Sequence, residues 1–420
     1  MSAIAFTTFF LLSLLGIPIA HALIVGSTLA MAGSDRGSFS LIVEQMVSQV
    51  GSFPLLAIPF FMLTGSVMMG GTLGRNLLDF LSTLMARFHG GPGQVGVLSS
   101  TFFGGISGSA VADASAIGSL LIPWQKKLGY PPGFAAATIA ASATIDILIP
   151  PSIPFIIYAL VSQTSIADLF IAGILPGVLL CFGFMAVCYV VGRLRGFQRE
   201  RRPIHPAVLL KEFGYSFPGI LLPILIVLML RFGVATPTEV SVMAAAYALL
   251  VSLFLYRDLT WSRLVDCIVE AGLSTGVVLL VIMASSVVGW IVTFEQIPQA
   301  VTAWMSQYLS DPWLIILAMN LILLFLGMFI DLPAAVLLVT PIFLPLANSI
   351  GMDGVQLGVM MVVNLAMGLY TPPVGTTLFI ASSVAKVPMG TVVKEMWPFY
   401  AVALGVLLLV SYVPAAILRG

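Results

Sequence analysis

Four short stretches of this 420-residue chain interrupt long apolar runs with groups able to bind an ion or a polar solute. They are Gly104-Gly105-Ile106-Ser107-Gly108-Ser109, Asp146 through Pro150-Pro151-Ser152, Gly327 through Asp331, and Gly368 through Thr371-Pro372-Pro373. A break in an intramembrane helix frees backbone carbonyls for a hard cation and exposes a helix N-terminus that favours an anion. Hydroxyl and carbonyl ligands suit sodium better than a transition metal. Close packing and kinking explain a single Gly-Ser or Pro-Pro, but not two equivalent sets. Three carboxylates, Asp113, Asp146 and Asp331, fall inside apolar segments, where ionised groups are expensive and tend to be functional. Asp331 stands at one break and is expected to contact ion or cargo; Asp146 adjoins another and can help to hold a cation. Asp113, one turn past Ser109, is explained by the helix dipole alone. Ser109, Ser152, Asp331 and Asn364 are the candidates for cargo contact. No Lys or Arg lies in these stretches, so an anionic cargo must be met by helix N-termini, hydroxyls and bound cations.

The elements around these groups must be membrane helices. Hydrophobic residues make up 60% of the chain and charged ones only 8%, against about 25% charged in a soluble domain. Mean hydropathy is +1.11, and apolar runs of about 20 residues, the length of one crossing, recur throughout. Formal net charge is zero, which gives no basic signature for nucleic acid. Cys181, Cys188 and Cys267 lack metal-ligand spacing and read as packing residues. His21, His89 and His205 are too scattered for a metal cluster. There is no GxxxxGK[ST], so ATP is not the direct energy source, and no nucleophile or paired-carboxylate set suggests an enzyme. Residues 4–31 are apolar for too long, and lack the basic lead, to be a cleavable signal.

Charge sets the expected topology. Arg193, Arg195, Arg199, Arg201 and Arg202 crowd one loop, which the positive-inside rule makes cytoplasmic. Lys126-Lys127, Arg87 and His89 then fit the same side, so residues 92–124 enter and leave on one face as a re-entrant hairpin, allowed where protein or water surrounds its tip. Residues 130–162 form a helix broken at Pro150-Pro151. Two helices at 214–231 and 236–255 return to Arg257 and Arg263, and 264–294 crosses outward. Residues 313–346 read as a second hairpin from the opposite face, 355–384 as a second broken helix, and 389–415 as a final span. Residues 72–90, with Arg75, Asp79 and Arg87, read as an interfacial helix; 297–310 lies at the opposite surface.

A shift of 222 residues superimposes Gly105 on Gly327, Pro123 on Pro345, Gly129 on Gly351, Pro150-Pro151 on Pro372-Pro373, and Pro176 on Pro398. Composition alone predicts about one such match. The expected fold is an all-α polytopic membrane protein, an inverted repeat with two re-entrant hairpins and two broken helices. This is the sign of a secondary transporter with its site where the breaks meet. The expected division is 1–90 (scaffold and interfacial helix), 91–192 (first transport half), 193–312 (Arg loop and scaffold) and 313–420 (second transport half). A channel on the same scaffold would need a continuous polar stripe, whereas polar groups here gather at the breaks.

Three long motifs carry a family resemblance. They are FHGGPGQVGVLSSTFFGGISGSAVADASAIGSLLIPWQKKLGY at 88–130, IPPSIPFIIYALVSQTSIADLFIAGILPG at 149–177, and GMFIDLPAAVLLVTPIFLPLANSIGMDGVQLGVMMVVNLAMGLYTPPVGTTLFIAS at 327–382. In this order, over essentially the whole chain, they resemble the DctM-type large membrane subunit of TRAP transporters. The resemblance implies sodium-driven uptake of an organic anion, such as a C4-dicarboxylate, sialic acid or sulfonate, across the bacterial inner membrane by an elevator motion. It implies as partners a small four-helix membrane subunit, expected here as a separate polypeptide, and a periplasmic binding protein. It implies two or more sodium sites, at Ser107, Ser109 and the Asp146–Pro150 break, and at Gly327, Gly368 and Thr371. Many relatives carry Gly where this chain has Asp146, and Pro where it has Ile147; the change is harmless if only the backbone carbonyl binds, and alters the first ion site or the cargo preference if the Asp146 side chain reaches inward. An ion-coupled transporter or channel working without a binding protein is the alternative.

Overall fold

A computed structural model describes residues 1–33, 39–197, 206–308 and 311–413, without the side chains of residues 14, 39, 105–107 and 306–308. Arg199, Arg201, Arg202 and His205 of the basic loop lie outside the described residues. The described residues are helical, without strands. The first half comprises α1 (Ser2–Leu14), α2 (Ile19–Ala32), α3 (Phe39–Val50), α4 (Ala57–Met69), α5 (Thr72–Met85), α6 (Gly91–Ser107), α7 (Ala110–Lys127), α8 (Pro132–Ser142), α9 (Ile153–Ser162) and α10 (Ile166–Leu194). The second comprises α11 (Pro206–Arg231), α12 (Pro237–Leu250), α13 (Trp261–Phe294), α14 (Ile297–Tyr308), α15 (Pro312–Gly327), α16 (Leu332–Ser349), α17 (Gly354–Gly368), α18 (Thr376–Ala385) and α19 (Met389–Tyr412). Six helices are long and apolar enough to cross a membrane, or seven if the pair 40–50 and 53–69, bent by 60°, is one span. The chain is a multi-pass membrane protein.

The duplication is visible element by element. The second arms of the two hairpins, α7 and α16, start at Ala110 and Leu332, and the helices after them at Pro132 and Gly354, each pair 222 positions apart. Both second arms end alike. Gly129 and Gly351 take left-handed backbone at φ +82° and +75°. The next N–H, of Tyr130 or Met352, then reaches back to the carbonyl of Gln125 or Ala347. This closes a Schellman-type cap that glycine adopts without a Cβ penalty. Pro150-Pro151 and Pro372-Pro373 each carry a cis bond. The pairing extends beyond the hairpins: α13 occupies the register of α3 and α4, and α14 that of α5.

Two details differ from the sequence reading. The apolar stretch 4–31 is two short helices, because Gly16-Ile17-Pro18 turns the chain and α2 packs back on α1. A Cβ on Gly26 would meet the Ala5 carbonyl at 2.7 Å. The first hairpin is also interrupted later than Gly104, since α6 continues through Ser107 and only Gly108 and Ser109 are non-helical.

Small residues draw the helices together, as membrane packing favours. Gly173 and Gly177 of α10 lie against the first break: a Cβ on Gly173 would fall 2.6 Å from the Leu148 carbonyl, and one on Gly177 2.7 Å from Ile149 Cδ1. Phe184 of α10 and Phe399 of α19 meet edge to face at 5.4 Å, a contact contributing about 0.5–1.5 kcal/mol. Tyr158 of α9 donates to the Gly354 carbonyl at 2.6 Å, and Arg195 after α10 pairs with Glu395 of α19 at 2.7 Å. The helices around the breaks thus interlock the two copies, while α4 packs with α12 and α13 as a second group.

Candidate functional site

The first hairpin tip and the first break meet at Gly108. Asp146, fully buried, follows the short 3₁₀ turn that ends α8, and its Oδ1 accepts from the Gly108 N–H at 3.1 Å. A Cβ on Gly104 would stand 2.4 Å from Asp146 Cα, so only glycine lets α6 approach this closely. Gly108 has φ +60° and lies against the Pro151 carbonyl, which a Cβ would meet at 2.7 Å. Ser109 is the N-cap of α7, its Oγ accepting from Ala112 N. Ser152 acts differently from a cargo ligand: its hydroxyl donates to the Ile147 carbonyl at 2.5 Å and caps α9 by accepting from Phe155 N at 3.3 Å. It fastens the break from behind. The Ser107 side chain lies outside the described residues. Gly108, next to Ser109 in the chain, is thus held against both the Asp146 carboxylate and the Pro151 carbonyl. Asp113 is buried in the first turn of α7, with neither carboxylate oxygen hydrogen-bonded.

The second tip and second break touch through two glycines. A Cβ on Gly368 would lie 2.3 Å from the Gly327 carbonyl oxygen. Thr371 follows: its N–H donates to the Gly368 carbonyl at 3.0 Å and its hydroxyl to the Met367 carbonyl at 2.6 Å. With that hydrogen committed, the Thr371 oxygen keeps lone pairs for a cation. Oxygen donors held by glycine contacts at both breaks fit a small hard cation.

Asn364 is fully buried and serves a different network. It donates to the Asn320 side-chain oxygen at 2.8 Å, while Asn320 donates to Ser411 Oγ at 3.0 Å, tying α15, α17 and α19. Neither Asn364 nor Ser152 lines the cavity described next.

That cavity, of 760 Å³, joins both tips and both breaks. Gly108, Ser109 and the start of α7 form one wall, Ile147 and Ile153 a second, Asp331, Leu332 and Pro333 a third, with Leu369 behind. The opposite side is made by Ser66 and Met69 of α4, by Gly70 just after it, and by Glu270, Ser274, Val277 and Val278 of α13. Ser109 and Asp331 hold the same place in the repeat, as N-caps of α7 and α16. Among the described residues, the lining holds two carboxylates, Glu270 and Asp331, several serines, and no Lys, Arg or His.

Sequence reasoning missed Glu270 and Ser274 because α13 reads as plain scaffold. Their signal is helical spacing: positions 270, 274, 277 and 278 share one face. It also missed Thr377, whose hydroxyl bonds the Ala140 carbonyl at 3.1 Å and the Leu369 carbonyl at 2.9 Å. This one side chain bridges the helix before the first break and the second break.

Paired helix breaks around one largely apolar cavity that carries two carboxylates and several serines suit a membrane transporter. Comparison with known proteins specifies the kind. Residues 6–416 match the family model for the DctM component of the tripartite ATP-independent periplasmic transporters. The chain belongs to that family and is a TRAP large permease, a multi-pass protein of the bacterial inner membrane. It is 52% identical to an uncharacterized protein, y4mL, of Sinorhizobium fredii, over 99% of each chain. It is 38% identical to the C4-dicarboxylate TRAP transporter large permease DctM of Pseudomonas aeruginosa, over 86% of this chain and 85% of the other. Its fold is similar to that of the Alcanivorax borkumensis YdaH transporter, with TM-score 0.62 and 15% identity, over 90% of this chain and 89% of that one.

Proposed function

We propose that the chain carries the cargo of a sodium-coupled secondary uptake system for an organic acid. In this reading a periplasmic binding protein delivers the cargo, and a small four-helix membrane subunit braces the assembly. The observation that supports it most is the meeting of both tips and both breaks in one 760 Å³ cavity walled by α4 and α13. Family membership and the C4-dicarboxylate relative add weight to the cargo class.

The proposed mechanism follows from the parts. One sodium site comprises Ser107, Ser109, Asp146 and the carbonyls at Pro150; the other comprises Gly327, Gly368 and Thr371. Sodium supplies the positive potential that fixes each tip against its break. With both tips drawn in, Ser109, the N-terminus of α7 and Asp331 face the cargo. Helices α6–α10 and α15–α19 then move as a unit past α2–α5 and α11–α14 in an elevator stroke. By the charge rule, the Gly70 end of α4 and the Glu270 end of α13 are cytoplasmic, so this cavity is the inward-facing one.

Reconstitution into liposomes tests the reading. Uptake should require a sodium gradient, the small subunit and the binding protein together. Uptake unaffected by collapse of the sodium gradient, or ion conductance by this chain alone, overturns it.

A further inference from the structure

The two N-caps at equivalent places in the repeat differ in charge. Ser109 is neutral, so the opening N–H groups of α7, which helix geometry leaves without intrahelical acceptors, present positive potential to the cavity. Asp331 is an acid and makes no side-chain cap bond at the start of α16, so at that tip a carboxylate stands in front of the helix dipole. Glu270 lines the same cavity from the opposite wall, on the exposed side of α13, with no ion pair to any described residue. Its nearest basic neighbour along the helix, Arg263, stands at the rim beside Gly70, where it pairs with Asp258 at 2.8 Å and donates to the Val67 carbonyl at 2.7 Å. Beyond the sodium ions proposed at the two breaks, one of which is offset by Asp146, a cargo carrying only negative charge would meet one favourable terminus and two carboxylates, with no Lys, Arg or His among the described lining residues. Such like-charge placement selects against a ligand as effectively as contacts select for it.

We propose that the cargo is a zwitterion, a carboxylic acid bearing an ammonium or quaternary ammonium group, and that Glu270 is the residue that selects it. The carboxylate of the cargo sits at Ser109 and the N-terminus of α7. Its cationic nitrogen sits between Asp331 and Glu270. The inference rests on the reading of the cavity as the cargo site, and it narrows that reading from organic acids in general to those with a positive centre. It also gives α13 a role in selection, since Glu270 lies on the wall that the cargo leaves behind during the stroke.

The test measures sodium-dependent binding to the full chain in lipid nanodiscs, in sodium against potassium buffer, with isosteric probe pairs. Trimethylglycine is set against 3,3-dimethylbutyrate, which replaces its nitrogen by carbon. 4-Aminobutyrate is set against pentanoate, and succinate serves as the dianion. The best binder should be zwitterionic and should exceed its uncharged-centre isostere by about tenfold, the discrimination that one charge-assisted contact supports. Glu270→Gln should erase that preference, and Glu270→Asp should retain it. Succinate or an isostere binding as well as its zwitterion overturns the inference while leaving the cargo site intact, as does an unchanged preference in Glu270→Gln. Sodium-dependent binding of none of the probes overturns the inference and the cargo-site reading together.

Discussion

The carbonyl oxygen of Gly327 lies where a Cβ on Gly368 would be, at 2.3 Å. The second tip and second break therefore close on each other only because residue 368 is glycine, whereas a Cβ on Gly327 would meet nothing nearer than 3.3 Å. Gly368→Ala should separate them. Forcing a methyl into such a contact costs about 1–3 kcal/mol, and the variant should lose sodium activation of uptake while still reaching the membrane. Uptake kinetics in proteoliposomes, with membrane abundance measured in parallel, check this. Unchanged sodium activation contradicts it.

Asp146 permits a separation of charge from hydrogen bonding. Asparagine keeps an oxygen for the Gly108 N–H but removes the negative charge, so Asp146→Asn should fold normally and need several-fold more sodium for half-maximal uptake. Asp146→Ala also removes the closer acceptor of the Gly108 N–H, leaving it only the Gly104 carbonyl at 3.4 Å, and should lower the melting temperature as well. If both variants match the parent in sodium response, only the Asp146 carbonyl belongs to the site.

Thr377 bridges the Ala140 and Leu369 carbonyls, and valine keeps its shape without the hydroxyl. Thr377→Val should destabilise the purified protein by about 1–2 kcal/mol and slow uptake, because α8, the helix before the first break, loses its hydrogen bond to α18. A melting curve and an initial rate suffice; parental values of both contradict the assignment.

Much of this arrangement was legible in the sequence because glycine, proline and charge carry specific backbone and topological meaning in a membrane. The helix interruptions and the 222-residue shift could be read from Gly105, Gly129, Pro150 and their partners. What escaped was side-chain direction. Ser152 and Asn364 are polar groups near breaks, as cargo ligands would be, yet one fastens its own break and the other serves a helix-packing network. Glu270 lies in an ordinary apolar span, and only the approach of α13 to the tips brings it to the cavity. The turn at Gly16-Ile17-Pro18 was masked by continuous hydrophobicity on both sides.

A clasp at the rim of the cavity sets an acid limit on stability. Burial pushes the Asp258 carboxyl up, but the Thr72 N–H and hydroxyl and the Arg263 guanidinium outweigh burial and hold it below the usual carboxylate range. A carboxylate depressed in the fold contributes stability that is present above its unfolded value, about 3.9, and is lost as pH falls through the folded value. The protein should therefore lose melting temperature below about pH 4, and Asp258→Asn should be less stable at neutral pH but show a shallower acid decline. An identical acid profile in the variant would remove Asp258 from the account.

Equilibrium sodium binding to the purified chain tests the central claim most directly, since it needs neither partner nor cargo. Labelled sodium should bind at one site per repeat copy, and Asp146→Asn and Gly368→Ala should each weaken a different one, leaving the other near its parental affinity. Absence of saturable sodium binding, or equal binding in all three proteins, contradicts the account.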